Sequence, residues 1–152
     1  MKKKILITSG ILLVILLAIF LYFNNNSKFH LESKYYGNSN FIKANKKSIN
    51  KLETNKESCI VYTYNAYCNL KIPCETIFKN FMTKYNISFY SVPFDEMKES
   101  YLYKKVKYAP SVIIIKNGKV IAYLDADKNA DLAKYQDDEA FKNWISKYIY
   151  LS

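Results

Sequence analysis

Beyond residue 40, hydrophobic and polar positions follow either the strand period of two or the helical period of 3.6. Phe41 to Ala44 is a short strand, and Asn45 is placed to cap a helix over Lys46 to Thr54. Ile49 and Leu52 share one face of that helix. The β-branched and aromatic run from Ser58 to Tyr64 predicts a second strand. From Pro73 to Tyr85 the positions Cys74, Ile77, Phe78, Phe81, Met82 and Tyr85 form one apolar helical stripe. Ile87 to Val92 is a strand, and Met97 to Val106 a short helix. Val112 to Lys116 and Lys119 to Leu124 flank Asn117-Gly118, a dipeptide that favours a two-residue hairpin turn. A last helix, Asp138 to Tyr150, carries Phe141, Trp144, Ile145 and Tyr148 on one face, with Asp137 or Asp138 near its start. The order β-α-β-α-β-α-β-β-α predicts an α/β sandwich with a mixed central sheet and flanking helices.

The first forty residues differ. Met1-Lys2-Lys3-Lys4 precedes an uncharged apolar run from Ile5 to Phe23. At about 1.5 Å per residue such a helix spans the ~30 Å hydrocarbon layer. The leading lysines favour residues 1–4 in the cytoplasm and the rest of the chain outside. No small-residue cleavage site follows the run, and no cysteine near it is placed for lipidation, so 5–23 reads as an uncleaved single-pass anchor. Residues 24–40 are polar and read as an extracytoplasmic linker, leaving 41–152 as one domain. Outside the membrane, disulfides can persist.

Composition narrows the function classes. The net charge is +10, yet the 23 basic residues are all lysine. The lack of arginine, which dominates bidentate phosphate and guanine contacts, weakens a nucleic-acid reading, and no zinc-finger or RNA-binding pattern appears. Nucleic acid is therefore not an expected partner. The only histidine, His30, has no ligand partners at metal spacing. Asp125-Ala-Asp127-Lys-Asn129-Ala-Asp131 opens like a calcium loop, but it lacks the glycine at the sixth position and ends on Gln136 instead of a bidentate Glu. No metal or cofactor is expected.

The chemistry rests with the cysteines. Cys68 follows the exit of the second strand, and Cys74 lies at the start of the helix that Pro73 opens. Free N–H groups and the helix dipole at such a start favour a thiolate. Cys68 is expected to be the more exposed, attacking thiol, and Cys74, on the apolar stripe, a partly buried resolving thiol. Were residues 69–74 helical, the two would stand about 9 Å apart along the axis. A disulfide needs Cα atoms within ~7 Å, so a bridge requires Asn69 to Ile72 to loop. Cys59, at the start of a central strand, reads as a buried structural residue.

Three segments together resemble the thioredoxin-like superfamily over most of residues 41–149. Tyr-Asn-Ala-Tyr-Cys68 is similar to the family's approach to its nucleophile. Ile87-Ser-Phe-Tyr-Ser-Val92-Pro-Phe-Asp95 resembles its third strand. Val106-Lys-Tyr-Ala-Pro110-Ser111 with the following hairpin resembles its cis-proline segment. The resemblance implies a cis Ala109–Pro110 bond, catalytic Cys68 and Cys74, and substrate contacts at Ala109, Pro110, Ser111 and Tyr67. Two departures stand out. The family's Cys-x-x-Cys is here Cys-x5-Cys, and its buried acid falls on Tyr62. The chain also looks similar to membrane-anchored extracytoplasmic thioredoxin-like proteins of low-GC Gram-positive bacteria. The implied function is thiol–disulfide exchange on secreted or surface proteins, with protein thiols or a secreted peptide as partner. The alternative is a non-catalytic accessory or binding module, such as the bacteriocin-transport accessory type, with a degenerate site.

Overall fold

The computed structural model describes residues 14–16, 28–65 and 72–151. The sequence assigns an anchor to 5–23 and site roles to Tyr67 and Cys68; apart from 14–16, these lie outside the described residues. Among the described residues no helix is long and apolar enough to cross a membrane.

Five strands form one mixed sheet: β1 (Phe41–Lys43), β2 (Cys59–Tyr64), β3 (Phe89–Pro93), β4 (Ser111–Lys116) and β5 (Lys119–Tyr123). Their spatial order is β1-β3-β2-β4-β5. β3 runs parallel to both β1 and β2, whereas β4 is antiparallel to β2 and to β5. Central strands buried on both faces need continuous apolar runs. β2 and β4 supply them, each with five of its six residues buried. The β4–β5 hairpin turns at Asn117 and Gly118, both at positive φ (51° and 76°), as the dipeptide predicts.

Five α-helices flank the sheet: α1 (Lys46–Thr54), α2 (Cys74–Tyr85), α3 (Phe94–Lys98), α4 (Asn129–Leu132) and α5 (Asp138–Ile145). The Asn45 side chain accepts from the Ser48 amide while the Ser48 hydroxyl accepts from the Asn45 amide, closing a capping box on α1. The predicted stripe of α2 is buried at Cys74, Ile77, Phe78, Phe81 and Met82. It meets α5 where Phe78 and Phe81 pack on Phe141, at centroid distances of 4.9 and 5.1 Å.

Four expectations change. The helix foreseen from Met97 to Val106 is instead α3 followed by a 3-10 turn, Tyr101–Lys104. Ser100 interrupts it with an extended backbone, its hydroxyl donating to Met97 O (2.7 Å) and accepting from the Leu102 amide (3.3 Å). The strand expected from Ile87 begins at Phe89, because Ile87 pairs alone with Tyr36. The last helix stops at Ile145, and Ile149 bridges in parallel to Phe29.

The fourth change concerns the polar segment assigned to a linker, which is part of the packed unit from residue 28. Leu31 and Tyr35 are core residues at 4% and 1% exposure. The Phe29 amide donates to Tyr148 O, and the Tyr150 amide donates to Phe29 O. A few apolar side chains and non-local backbone pairing hold a segment whose composition is polar.

Candidate functional site

The cis-proline segment sits at the end of the sheet where β2 leaves and β4 enters. Antiparallel pairing sets Thr63 opposite Ser111, which brings the strand exit beside Ala109–Pro110. The Ala109–Pro110 peptide is cis, as the family resemblance implies. Pro110 and Ser111 are buried, Ala109 is half-buried, and Tyr108 is exposed. The Ser111 hydroxyl donates to Tyr108 O at 2.8 Å, which tightens the turn. The Ala109 carbonyl accepts from the Asn65 side-chain amide at 3.2 Å. That main-chain acceptor is therefore engaged from within the chain. The Thr63 hydroxyl, opposite Ser111 in register, is buried without a hydrogen-bond partner among the described residues.

Cys74 opens α2. Pro73 occupies the N-cap position rather than the first turn, with φ −56° and no side-chain cap. A proline before the first helical residue loses no helical hydrogen bond. The Thr76 amide closes the first turn onto Pro73 O at 2.9 Å. The Cys74 side chain is 1% exposed, on the same stripe as Ile77 and Phe78. No disulfide joins the described cysteines, Cys59 and Cys74.

Two residues without a sequence-based role lie between these halves. Tyr135, the last residue of the 3-10 turn Ala133–Tyr135, is fully buried and donates its hydroxyl to Pro110 O at 2.9 Å. Burial pushes its phenol far above the ordinary range, and negative charge at Asp131 or Cys74 adds to the rise; a hydrogen bond with Ser111 opposes it. It is a neutral donor at any working pH. Gln136 follows. Its Oε1 accepts from the Ile72 amide at 3.0 Å, and its Nε2 donates to Ile72 O at 2.8 Å and to Tyr135 O at 2.9 Å. The side-chain amide thus pairs with Ile72 as a neighbouring strand would. One of 15 tyrosines, followed by a glutamine in a polar loop, offers no signal in the sequence.

Below the site, Tyr62 stands where the family keeps its acid. It is 3% exposed and packs against Phe78 (5.1 Å), Phe41 (5.5 Å) and Tyr64 (5.8 Å). The described part of this end of the core is aromatic.

Cys59 lies at the other end of β2. Burial raises its thiol pKa far above the ordinary value, with Glu57 and Glu32 adding to the rise, Lys34 and a Tyr35 hydrogen bond opposing it. It is an inert core thiol. In the Asp125–Asp131 loop the carboxylates are engaged internally. Asp131 accepts from the Asp125 amide and pairs with Lys134 at 2.5 Å, while Asp125 accepts from the Asp127 amide. Among the described residues no cluster of three His, Cys, Asp or Glu side chains is placed to hold a metal.

No family model matches the sequence, and no curated protein matches it. Solved structures do. A cysteine-to-serine mutant of an Entamoeba histolytica thioredoxin superposes with a TM-score of 0.51 at 18% identity, covering 70% of this chain and 97% of that one. Thioredoxin O2 of Arabidopsis thaliana, in the oxidised state, gives 0.49 at 18% identity, covering 78% and 97%. Mitochondrial thioredoxin 3 of Saccharomyces cerevisiae, oxidised form, gives 0.49 at 16%, covering 70% and 93%. At such identities a likeness speaks to architecture, and the first superposition carries it: the described domain has a thioredoxin-like fold over the 70% of the chain that superposes.

Proposed function

We propose that the chain is a membrane-tethered, extracytoplasmic thioredoxin-like protein that exchanges disulfides with secreted or surface proteins. The observation that supports it best is the placement of Cys74 in the first turn of α2, at the end of the fold that also carries cis Pro110. In this reading the Cys68 thiolate attacks one sulfur of a substrate disulfide, and the other substrate sulfur leaves as a thiolate. The Cys74 thiolate then attacks the Cys68 sulfur, releasing the second substrate thiol and leaving a Cys68–Cys74 disulfide. The substrate gains two electrons, and an external dithiol restores the chain; run backwards, the same steps oxidise a substrate. Residues 5–23 anchor the protein, so its partners are proteins at the outer membrane surface.

A second reading, a non-catalytic accessory or binding module, has one observation in its favour. Tyr62 replaces the acid that would move a proton in the family's site. Thiol trapping of the wild type, Cys68→Ser and Cys74→Ser, with turnover of a model disulfide by Cys68→Ala, separates the two. Exchange requires that Cys68→Ala abolish turnover and that Cys74→Ser accumulate a mixed disulfide. Unchanged turnover in Cys68→Ala refutes it and leaves the binding module.

A further inference from the structure

The 3-10 turn between α4 and α5 touches both halves of the site through consecutive residues. Tyr135 holds the carbonyl of Pro110, and Gln136 holds both backbone polar groups of Ile72, two residues before Cys74. Pro73 gives α2 no side-chain cap. The Gln136 amide therefore supplies an anchor just ahead of a helix start that lacks one of its own.

We propose that Tyr135 and Gln136 are a pair of positioning residues that fix Cys74 relative to the cis-proline strand and restrain opening of the first turn of α2. The proposal deepens the thiol–disulfide reading, since a resolving thiol must be held in place yet released in the cycle. A reagent reaches a thiol this buried only when the first turn opens locally. Each hydrogen bond tying Ile72 to Gln136 is made in the closed form and lost on opening. Removing both should raise the open fraction, and with it the alkylation rate of Cys74, roughly three- to tenfold.

The test is iodoacetamide labelling of the full chain in detergent micelles, resolved cysteine by cysteine with peptide mass spectrometry. Gln136→Met keeps the side-chain length and loses both bonds to Ile72. Gln136→Glu keeps the acceptor for the Ile72 amide and loses the donor. Tyr135→Phe keeps the ring and frees the Pro110 carbonyl. The expected order of Cys74 labelling is Gln136→Met above Gln136→Glu above wild type, with Tyr135→Phe also raised. Cys59 is buried in β2, remote from the turn, and serves as the internal control; its labelling should stay unchanged. A merely structural role would raise Cys59 and Cys74 together as global stability falls. That outcome, or wild-type Cys74 labelling in Gln136→Met and Tyr135→Phe, overturns the proposal. Labelling needs no turnover, so unchanged turnover in Cys68→Ala would sink the enzymatic reading without deciding this one.

Discussion

Glu57 is the point at which the segment from residue 28 is fastened to the sheet, and its removal should loosen that segment before the core. The carboxylate is 8% exposed and accepts from Lys34 Nζ (2.5 Å), from the Tyr35 hydroxyl and from Asn55 Nδ2 (3.3 Å). Tyr35 is 1% exposed, and its hydroxyl otherwise meets only weaker partners, Tyr90 at 3.4 Å and the Cys59 thiol, among the described residues. Glu57→Ala would leave a buried phenol hydroxyl without an acceptor of good geometry, costing about 1–3 kcal/mol. The Lys34 pair is half in solvent on the lysine side and adds only about 0–1 kcal/mol. Together about 1–4 kcal/mol is expected, a fall in Tm of roughly 3–16 °C for a domain of this size. Tyr35→Phe removes the donor but leaves the carboxylate with Lys34 and Asn55, so about 1–2 kcal/mol is expected. The double variant should lose less than the sum, with a coupling of about 1–2 kcal/mol.

Urea unfolding of the four proteins, followed by fluorescence at several pH values, measures this directly. Burial alone would raise the Glu57 pKa, but hydrogen bonds from Lys34, Tyr35 and Asn55, with the Lys34 charge, outweigh it and hold the group below its ordinary 4.5. A depressed folded-state pKa contributes stability that is fully present above 4.5 and lost as pH falls through the lower folded-state value. The gap between wild type and Glu57→Ala should therefore be constant near neutrality and shrink on acidification below that range. Strictly additive single variants, or a gap undiminished at pH 3, would refute the network as the fastening point.

Two further substitutions probe the fold at positions the site depends on. Phe78 is fully buried among Tyr62, Tyr135 and Phe141, so Phe78→Ala should cost about 3–5 kcal/mol in denaturant unfolding; a loss under 1 kcal/mol would mean the aromatic cluster is not packed as described. Gly118 has φ +76°, and a Cβ there would meet Glu53 O at 2.7 Å, so Gly118→Ala should destabilise by about 1–3 kcal/mol, whereas a neutral result would contradict the close approach of the hairpin to α1.

What was legible in the sequence is what has a local cause. Asn117-Gly118 specifies its turn through backbone preference alone, and Asn45 with Ser48 closes a cap within four residues. The stripe of α2 shows because five of its members face one core. What escaped depends on partners far along the chain. Phe29 looks like a stray apolar residue in a polar tract until Ile149 bridges to it, and the tract is tied to β2 where the Glu32 amide donates to Ser58 O. Ser100 breaks a helix by bonding its own backbone, a competition that periodicity does not register. Gln136 is a polar loop residue until Ile72 lies across from it, 64 positions away in sequence.

A residue at the Tyr62 position has to fill the space between Phe41 and Phe78, and an aromatic ring does so where a carboxylate would need a hydrogen-bond partner or a counter-charge. Tyr135 approaches from the other side, yet its hydroxyl is committed to Pro110 O and stays protonated. In the exchange reading, a Cys74 this buried trades protons with solvent when the first turn of α2 opens. Opening of that turn becomes both the route of access and the route of proton exchange, which places its control with the residues that hold Ile72 and Pro110.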